Sequence, residues 1–172
     1  MAQTYTLAAT GVTLLANKSI IGFYNGTGSG RIVRLYKVWL LNNQVTAVTG
    51  TTGFMELRTI TTGSGGTALS PVKHDSNNEN FPAQVISATN LSYTNRDLII
   101  RTYWCSDEPT PITSTTDEVL TIPSFGTIYE AAYSGTNVEP IVCREGYGVT
   151  LNNITSIVGI CDAFFEVTLE TT

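Results

Sequence analysis

The chain of 172 residues holds a single histidine, His74, and that shortage removes most of the chemistry histidine carries. Histidine is the usual general base and metal ligand near neutral pH. A triad would have to be assembled from His74 with Asp75, Cys105 or one of the serines. The sequence has no GxSxG elbow, no HExxH pair and no second histidine. His74 and Asp75 are adjacent in Val72-Lys-His-Asp75, and neighbours in an extended loop point in different directions. His74 therefore reads as a solvated or intersubunit loop residue. No catalytic, cofactor-binding or metal-binding residue is assigned, and no cofactor is expected.

Charge is also scarce. Only 13% of the residues are charged, against about 25% in an ordinary soluble protein. The net charge of −5 and pI near 4.7 would repel a phosphate backbone, and no run of Lys or Arg offsets this. Nucleic acid is not an expected partner. No window approaches the roughly 18 unbroken apolar residues of a helical membrane span, and MAQTYTLAATG lacks a basic segment followed by an apolar core. The expectation is a protein made in the cytoplasm with no membrane partner. The cysteines are three, Cys105, Cys143 and Cys161, with no CxxC spacing. An odd number excludes a complete disulfide framework within one chain, and they read as small buried hydrophobes.

What is abundant is threonine, which occurs 28 times in a chain that is 42% hydrophobic. Its branched Cβ disfavours helix and suits pleated strands. Runs of β-branched and aromatic residues, cut by Gly, Asn, Ser and Pro, place strands near Ser19 to Tyr24, Arg31 to Leu41, Phe54 to Ile60 and Asp97 to Trp104. Further strands fall near Glu118 to Ile122, Val138 to Arg144, Gly148 to Leu151 and Ile157 to Leu169. Weaker ones lie at Ala83 to Ser87 and Thr127 to Ala131.

The last strong run is the clearest: Ile157, Gly159, Cys161, Ala163, Phe165, Val167 and Leu169 share one face, and Asp162, Glu166 and Thr168 the other. Phe165 is thus a core residue. Arg31 to Leu41 is apolar on both faces, as though a loop or neighbouring subunit covers the second. Asn25-Gly-Thr-Gly-Ser-Gly30 reads as a hairpin. Thr61 to Pro82 reads as a long surface loop. The fold expected is all-β, a two-sheet antiparallel sandwich of the eight-stranded jelly-roll type. An immunoglobulin-like sandwich is second, since the paired Cys with an intervening Trp is missing. Residues 1–16 read as an N-terminal arm and 17–172 as one domain.

Several polar groupings have bland readings. Asp75-Ser-Asn-Asn-Glu79 begins like a calcium loop, but Asn80 stands where Gly is needed and Ile86 where a bidentate Glu belongs; it reads as a polar turn. Asp107-Glu108 and Asp117-Glu118 resemble a glycosidase carboxylate pair, yet they flank Pro- and Thr-rich turn sequence and read as solvated charges. Tyr103, Trp104, Tyr129, Tyr133 and Tyr147 would suit a sugar-stacking platform, although strand aromatics are more often core or interface anchors. N-x-S/T triplets at Asn17, Asn25, Asn90 and Asn153 follow from composition.

Three segments, IIGFYNGTGSGRIVRLYKVWLLNN from Ile20, GGTALSPVKHDSNNENFPA from Gly65 and NVEPIVCREGYGVTL from Asn137, with FFEVTLE beyond them, resemble small proteins encoded among the head genes of tailed bacteriophages. That group is similar to the jelly-roll cement, or decoration, proteins. The resemblance implies a virion structural protein on the outer capsid surface, with the major capsid protein and further copies of itself as partners, a trimer before a dimer. It implies no reactive residue and no enzyme activity. The competing expectation is a receptor- or glycan-binding head on a phage tail, fibre or spike.

Overall fold

The computed structural model describes residues 2–43, 51–81, 85–106, 126–131, 138–156 and 159–171. All regular secondary structure there is strand: β1 (Gln3–Thr13), β2 (Lys18–Asn25), β3 (Arg31–Asn42), β4 (Thr51–Ala68), β5 (Val72–Lys73), β6 (Val85–Ser106), β7 (Gly126–Glu130), β8 (Ile141–Cys143), β9 (Tyr147–Asn153) and β10 (Ile160–Thr171). The expected strand at Glu118 to Ile122 lies outside the described residues.

Pairing is antiparallel and nested. β1 pairs with β10, β2 with β9, β3 with β7 and β8, and β4 with β6. A long antiparallel ribbon rolled on itself produces this nesting, which is the jelly roll. One sheet runs β5-β1-β10-β3-β7, with β8 also on β3. The other holds β2, β9, β4 and β6, and closes because β6 pairs back to β2. The sheets pack face to face over one apolar core built from Leu7, Phe23, Leu35, Leu57, Leu151 and Phe165, among others.

β10 shows the alternation read from sequence: Cys161, Ala163, Phe165, Val167 and Leu169 are all buried. β3 explains its own ambiguous pattern. Glu166 pairs with Lys37 and Val167 with Leu35, so Tyr36 is an extra residue in a β-bulge. The inward set changes parity there, from Val33 and Leu35 to Val38 and Leu40. Outward, Trp39 stacks on Phe164 with ring centroids 5.1 Å apart.

Three expectations are corrected. Residues 1–16 are not an arm: β1 lies between β5 and β10, with Tyr5, Leu7, Ala9 and Val12 in the core. Its Thr and Tyr residues favour strand, and Tyr5, Leu7, Ala9 and Val12 give it an apolar face that is buried only when β1 joins the sheet. Asn25 to Gly30 is not a hairpin, because β2 joins one sheet and β3 the other; its glycines carry the chain across the sandwich. Thr61 to Pro82 is not wholly loop. Thr61 to Ala68 belongs to β4, and the rest of the described segment docks on β1. There β5 pairs with Tyr5 and Thr6, the Tyr5 hydroxyl donates to the Glu79 carbonyl at 2.8 Å, and Phe81 meets the Tyr5 ring edge-on.

The β4–β6 ribbon curls over the outer face of the second sheet, and glycines make the approach possible. A Cβ on Gly22 would stand 2.7 Å from Leu91 Cδ2, and one on Gly63 2.8 Å from Tyr24 Cβ. The curl encloses polar groups. Ser19, Asn152, Glu56 and Arg101 occupy one cross-strand row, and the first three are buried. The Glu56 carboxylate accepts from Arg58 Nε at 2.5 Å and from Arg101 Nε at 2.8 Å.

The Arg58 hydrogen bond holds the Glu56 carboxyl below its ordinary range, against the opposing effect of burial, with Arg101 adding to the lowering. A depressed folded-state pKa gives stability that is present above the unfolded value, about 4.3, and lost as pH falls through the folded value. Glu56→Gln should cost roughly 1–3 kcal/mol at neutral pH. The deficit should shrink on acidification below about pH 4.3. Urea unfolding of both proteins across that range tests this, and a pH-independent deficit would remove Glu56 from the account.

Candidate functional site

A cleft of about 500 Å3 opens where β8 leaves one sheet and β9 enters the other. Arg34 of β3, Val142 of β8, Arg144 of the β8–β9 turn and Tyr147 at the start of β9 line it, together with Thr59 of β4 and Arg96 and Asp97 of β6. Glu139 and Cys143 also line it.

Both walls are positioned by backbone irregularity. Arg58 pairs with Leu98 and Ile60 with Asn95, so Arg96 and Asp97 bulge opposite the single residue Thr59. The Asp97 amide donates to Thr59 Oγ1 at 3.0 Å, fixing the bulge. On the other wall, Gly146 turns the chain at φ 81° and its amide donates to the Asn25 carbonyl at 2.7 Å. The Glu145 carboxylate accepts from the amides of Gly28 (3.0 Å) and Gly30 (2.7 Å), and these bonds lower its pKa. Asn25 Nδ2 donates to the carbonyls of Arg31 and Cys143. The glycine turn thus braces the cleft.

Three of the chain's nine Lys and Arg residues face this opening. Arg34 pairs with Glu170 at 2.9 Å and Arg96 with Asp97 at 3.1 Å. The Arg96 guanidinium also lies 5.0 Å from the Tyr147 ring centroid, a cation–π contact. Arg144 is exposed and, among the described residues, has no carboxylate partner. Burial pushes the Cys143 thiol up to about 12, so it is protonated and inert at neutral pH. The cleft thus presents three guanidinium groups beside the carboxylates of Asp97 and Glu139.

The residues singled out from sequence are scattered. His74 Nε2 is 2.8 Å from Thr6 Oγ1, and its amide donates to the Thr4 carbonyl, so it helps fasten the β5 segment. Asp75 Oδ1 caps the Asn77 amide at 2.9 Å, and Glu79 is engaged by Arg31 at 2.7 Å. The Asp75 to Glu79 stretch is a docked polar turn. Among the described residues no His, Cys, Asp and Glu cluster has metal-binding geometry. Cys161 is buried, like Cys143.

Tyr129 is buried and donates to the Glu139 carbonyl at 2.7 Å, leaving Tyr147 as the aromatic at the cleft. Asn25 and Asn153 are fully buried amides that fasten turns. Asp107, Glu108, Asp117, Glu118 and Tyr133 lie outside the described residues, as do the side chains of Asn90, Tyr103, Trp104 and Cys105.

Sequence reasoning missed the arginine trio. Arg34, Arg96 and Arg144 are separated by 62 and 48 residues and share no motif, so no local signal joins them. Comparison with models of protein families, with curated proteins and with solved structures finds no match. The site's chemistry is therefore read from its own residues.

Proposed function

We propose that the chain is a structural protein of a bacteriophage virion, a cement or decoration protein that binds the outer capsid surface and ties neighbouring capsomers. It needs no chemical step. The observation that carries this reading is apolar exposure at one end of the jelly roll. Leu15 after β1, Leu41 near the end of β3 and Phe54 near the start of β4 are each more than 40% exposed there. The Leu15 carbonyl accepts from Asn153 Nδ2, and the Phe54 amide donates to Thr155 Oγ1, so both flank the same short segment.

Support comes also from the weak surface charge, which lowers the desolvation cost of broad contact, and from the segments that resemble phage head proteins. A protein that binds the assembled lattice better than free capsomers stabilises the lattice by that difference. Self-association into a trimer would multiply each modest contact through effective concentration. The cleft favours a second reading, a receptor- or glycan-binding head on a tail, fibre or spike.

Occupancy on shells lacking the native protein separates the two. Wild type should decorate such shells in proportion to capsomers. L15S/L41S/F54S should fold, by circular dichroism, yet lose at least about tenfold in affinity, since each buried anchor is worth about 1 kcal/mol or more. Undiminished occupancy would remove this end from the interface, and failure of wild type to bind would remove the capsid reading.

A further inference from the structure

We propose that the cleft between Arg144 and Arg96 binds an acidic saccharide, a sugar bearing one carboxylate among several hydroxyls. This inference stands on the cleft alone and does not depend on the capsid reading. The opening is concave, and its volume of about 500 Å3 falls within the roughly 300–1,000 Å3 of small-ligand sites. Arg144 offers an exposed guanidinium with no carboxylate partner among the described residues, in the fork geometry that grips a carboxylate through two hydrogen bonds. Arg34 and Arg96 are held in partly exposed ion pairs, Arg96 also against the Tyr147 ring; exposed ion pairs are worth about 0–1 kcal/mol and exchange for a ligand carboxylate.

The lining is mixed in sign, and this decides between anions. Asp97, with 70% of its side chain exposed, and Glu139 face the same space as the arginines. They repel a polyanion such as an acidic peptide or a nucleic acid. A sugar needs them, because its hydroxyls are donors that seek acceptors while its single carboxylate seeks the guanidinium. Val142 and Tyr147, 37% and 38% exposed, supply apolar surface for the C–H faces of a pyranose. Both walls are braced before any ligand arrives, through Asp97–Thr59 on one side and Glu145–Gly28 on the other, so little ordering entropy opposes binding.

The test is titration of the full chain, followed by amide chemical-shift changes, with glucuronic acid and N-acetylneuraminic acid as probes. Glucose, acetate and hexaglutamate are run at matched ionic strength. One or both acidic sugars should shift resonances of Arg144 to Gly148 and of Arg96 to Asp97, at least about tenfold more tightly than glucose or acetate. R144Q should weaken binding about tenfold or more with an unchanged melting temperature, because its side chain has no described partner to lose. D97N should weaken the sugars while strengthening hexaglutamate, a split that loss of folding cannot produce. Three outcomes overturn the proposal: no saturable shift with either acidic sugar, binding untouched by R144Q, or hexaglutamate binding more tightly than both sugars. None of these bears on capsid occupancy, and loss of occupancy does not bear on them.

Discussion

Deleting Met1 to Thr13 should leave no folded domain. The deleted stretch contains β1, whose register on β10 runs from Gln3 opposite Leu169 to Thr13 opposite Ile160. Without it β10 becomes an open edge, and the β5 segment loses its pairing with Tyr5 and Thr6. Four buried side chains go as well: Tyr5, Leu7, Ala9 and Val12. Leu7 and Val12 alone account for roughly 1.5–3 kcal/mol each of transfer free energy. Tyr5, its hydrogen bond to Glu79 and the ladder add to that. The sum competes with the whole of a typical stability, about 5–15 kcal/mol. Circular dichroism and amide dispersion of the truncated chain give the answer: a cooperative transition near the wild-type temperature would show that β1 is dispensable. The same argument means that partner contacts must be sought at the loop ends and outer faces, not at an N-terminal tail.

That strand was partly legible. Tyr5, Leu7 and Ala9 alternate with Thr4, Thr6 and Ala8, a period of two that names an inward face. It is cut short at Gly11, φ 64°, where a bulge passes the inward role from Ala9 to Val12 and then to Leu14. A parity change halfway along a strand looks like the absence of a pattern. β3 hides its face in the same way, through the bulge at Tyr36, which makes its sequence read as apolar on both sides. β10 has a bulge-free inward row, and its pattern is legible from Cys161 to Leu169, although the strand begins at Ile160 and not at Ile157.

Turn chemistry was legible in a narrower sense. The glycines of Asn25 to Gly30 say where the chain turns, but a tight turn and a sheet-to-sheet crossing draw on the same positive-φ residues. Which strands pair is decided by the rolled ribbon, through contacts such as Phe23 opposite Val149, far away in sequence. The cleft inherits that non-locality. Arg34, Arg96 and Arg144 become neighbours only because β3, β6 and the β8–β9 turn meet at one edge of the sandwich. The buried polar row of Ser19, Asn152, Glu56 and Arg101 is invisible for the same reason, since each residue alone reads as an ordinary solvent-facing position.

Phe164 and Phe165 offer a decisive comparison, because two adjacent phenylalanines on one strand face opposite sides. Phe165 is fully buried, pairs with Leu7 on one side and Val38 on the other, and meets Phe23 of the opposing sheet edge-on at 6.3 Å. Phe165→Ala should cost about 3–5 kcal/mol, the usual loss for a buried aromatic whose cavity cannot collapse. For a domain of this size that lowers the melting temperature by roughly 6–20 °C. Phe164 is only partly buried and stacks on Trp39 outside the sheet. Phe164→Ala should cost nearer 1 kcal/mol, the scale of one aromatic pair. Urea denaturation of both variants measures the difference directly. If Phe164→Ala proved the more damaging, β10 would sit one residue out of register, with its apolar row facing solvent and its acidic row in the core. Both cross-strand ladders on β10 would then be wrong, and with them the jelly-roll pairing that sets the cleft.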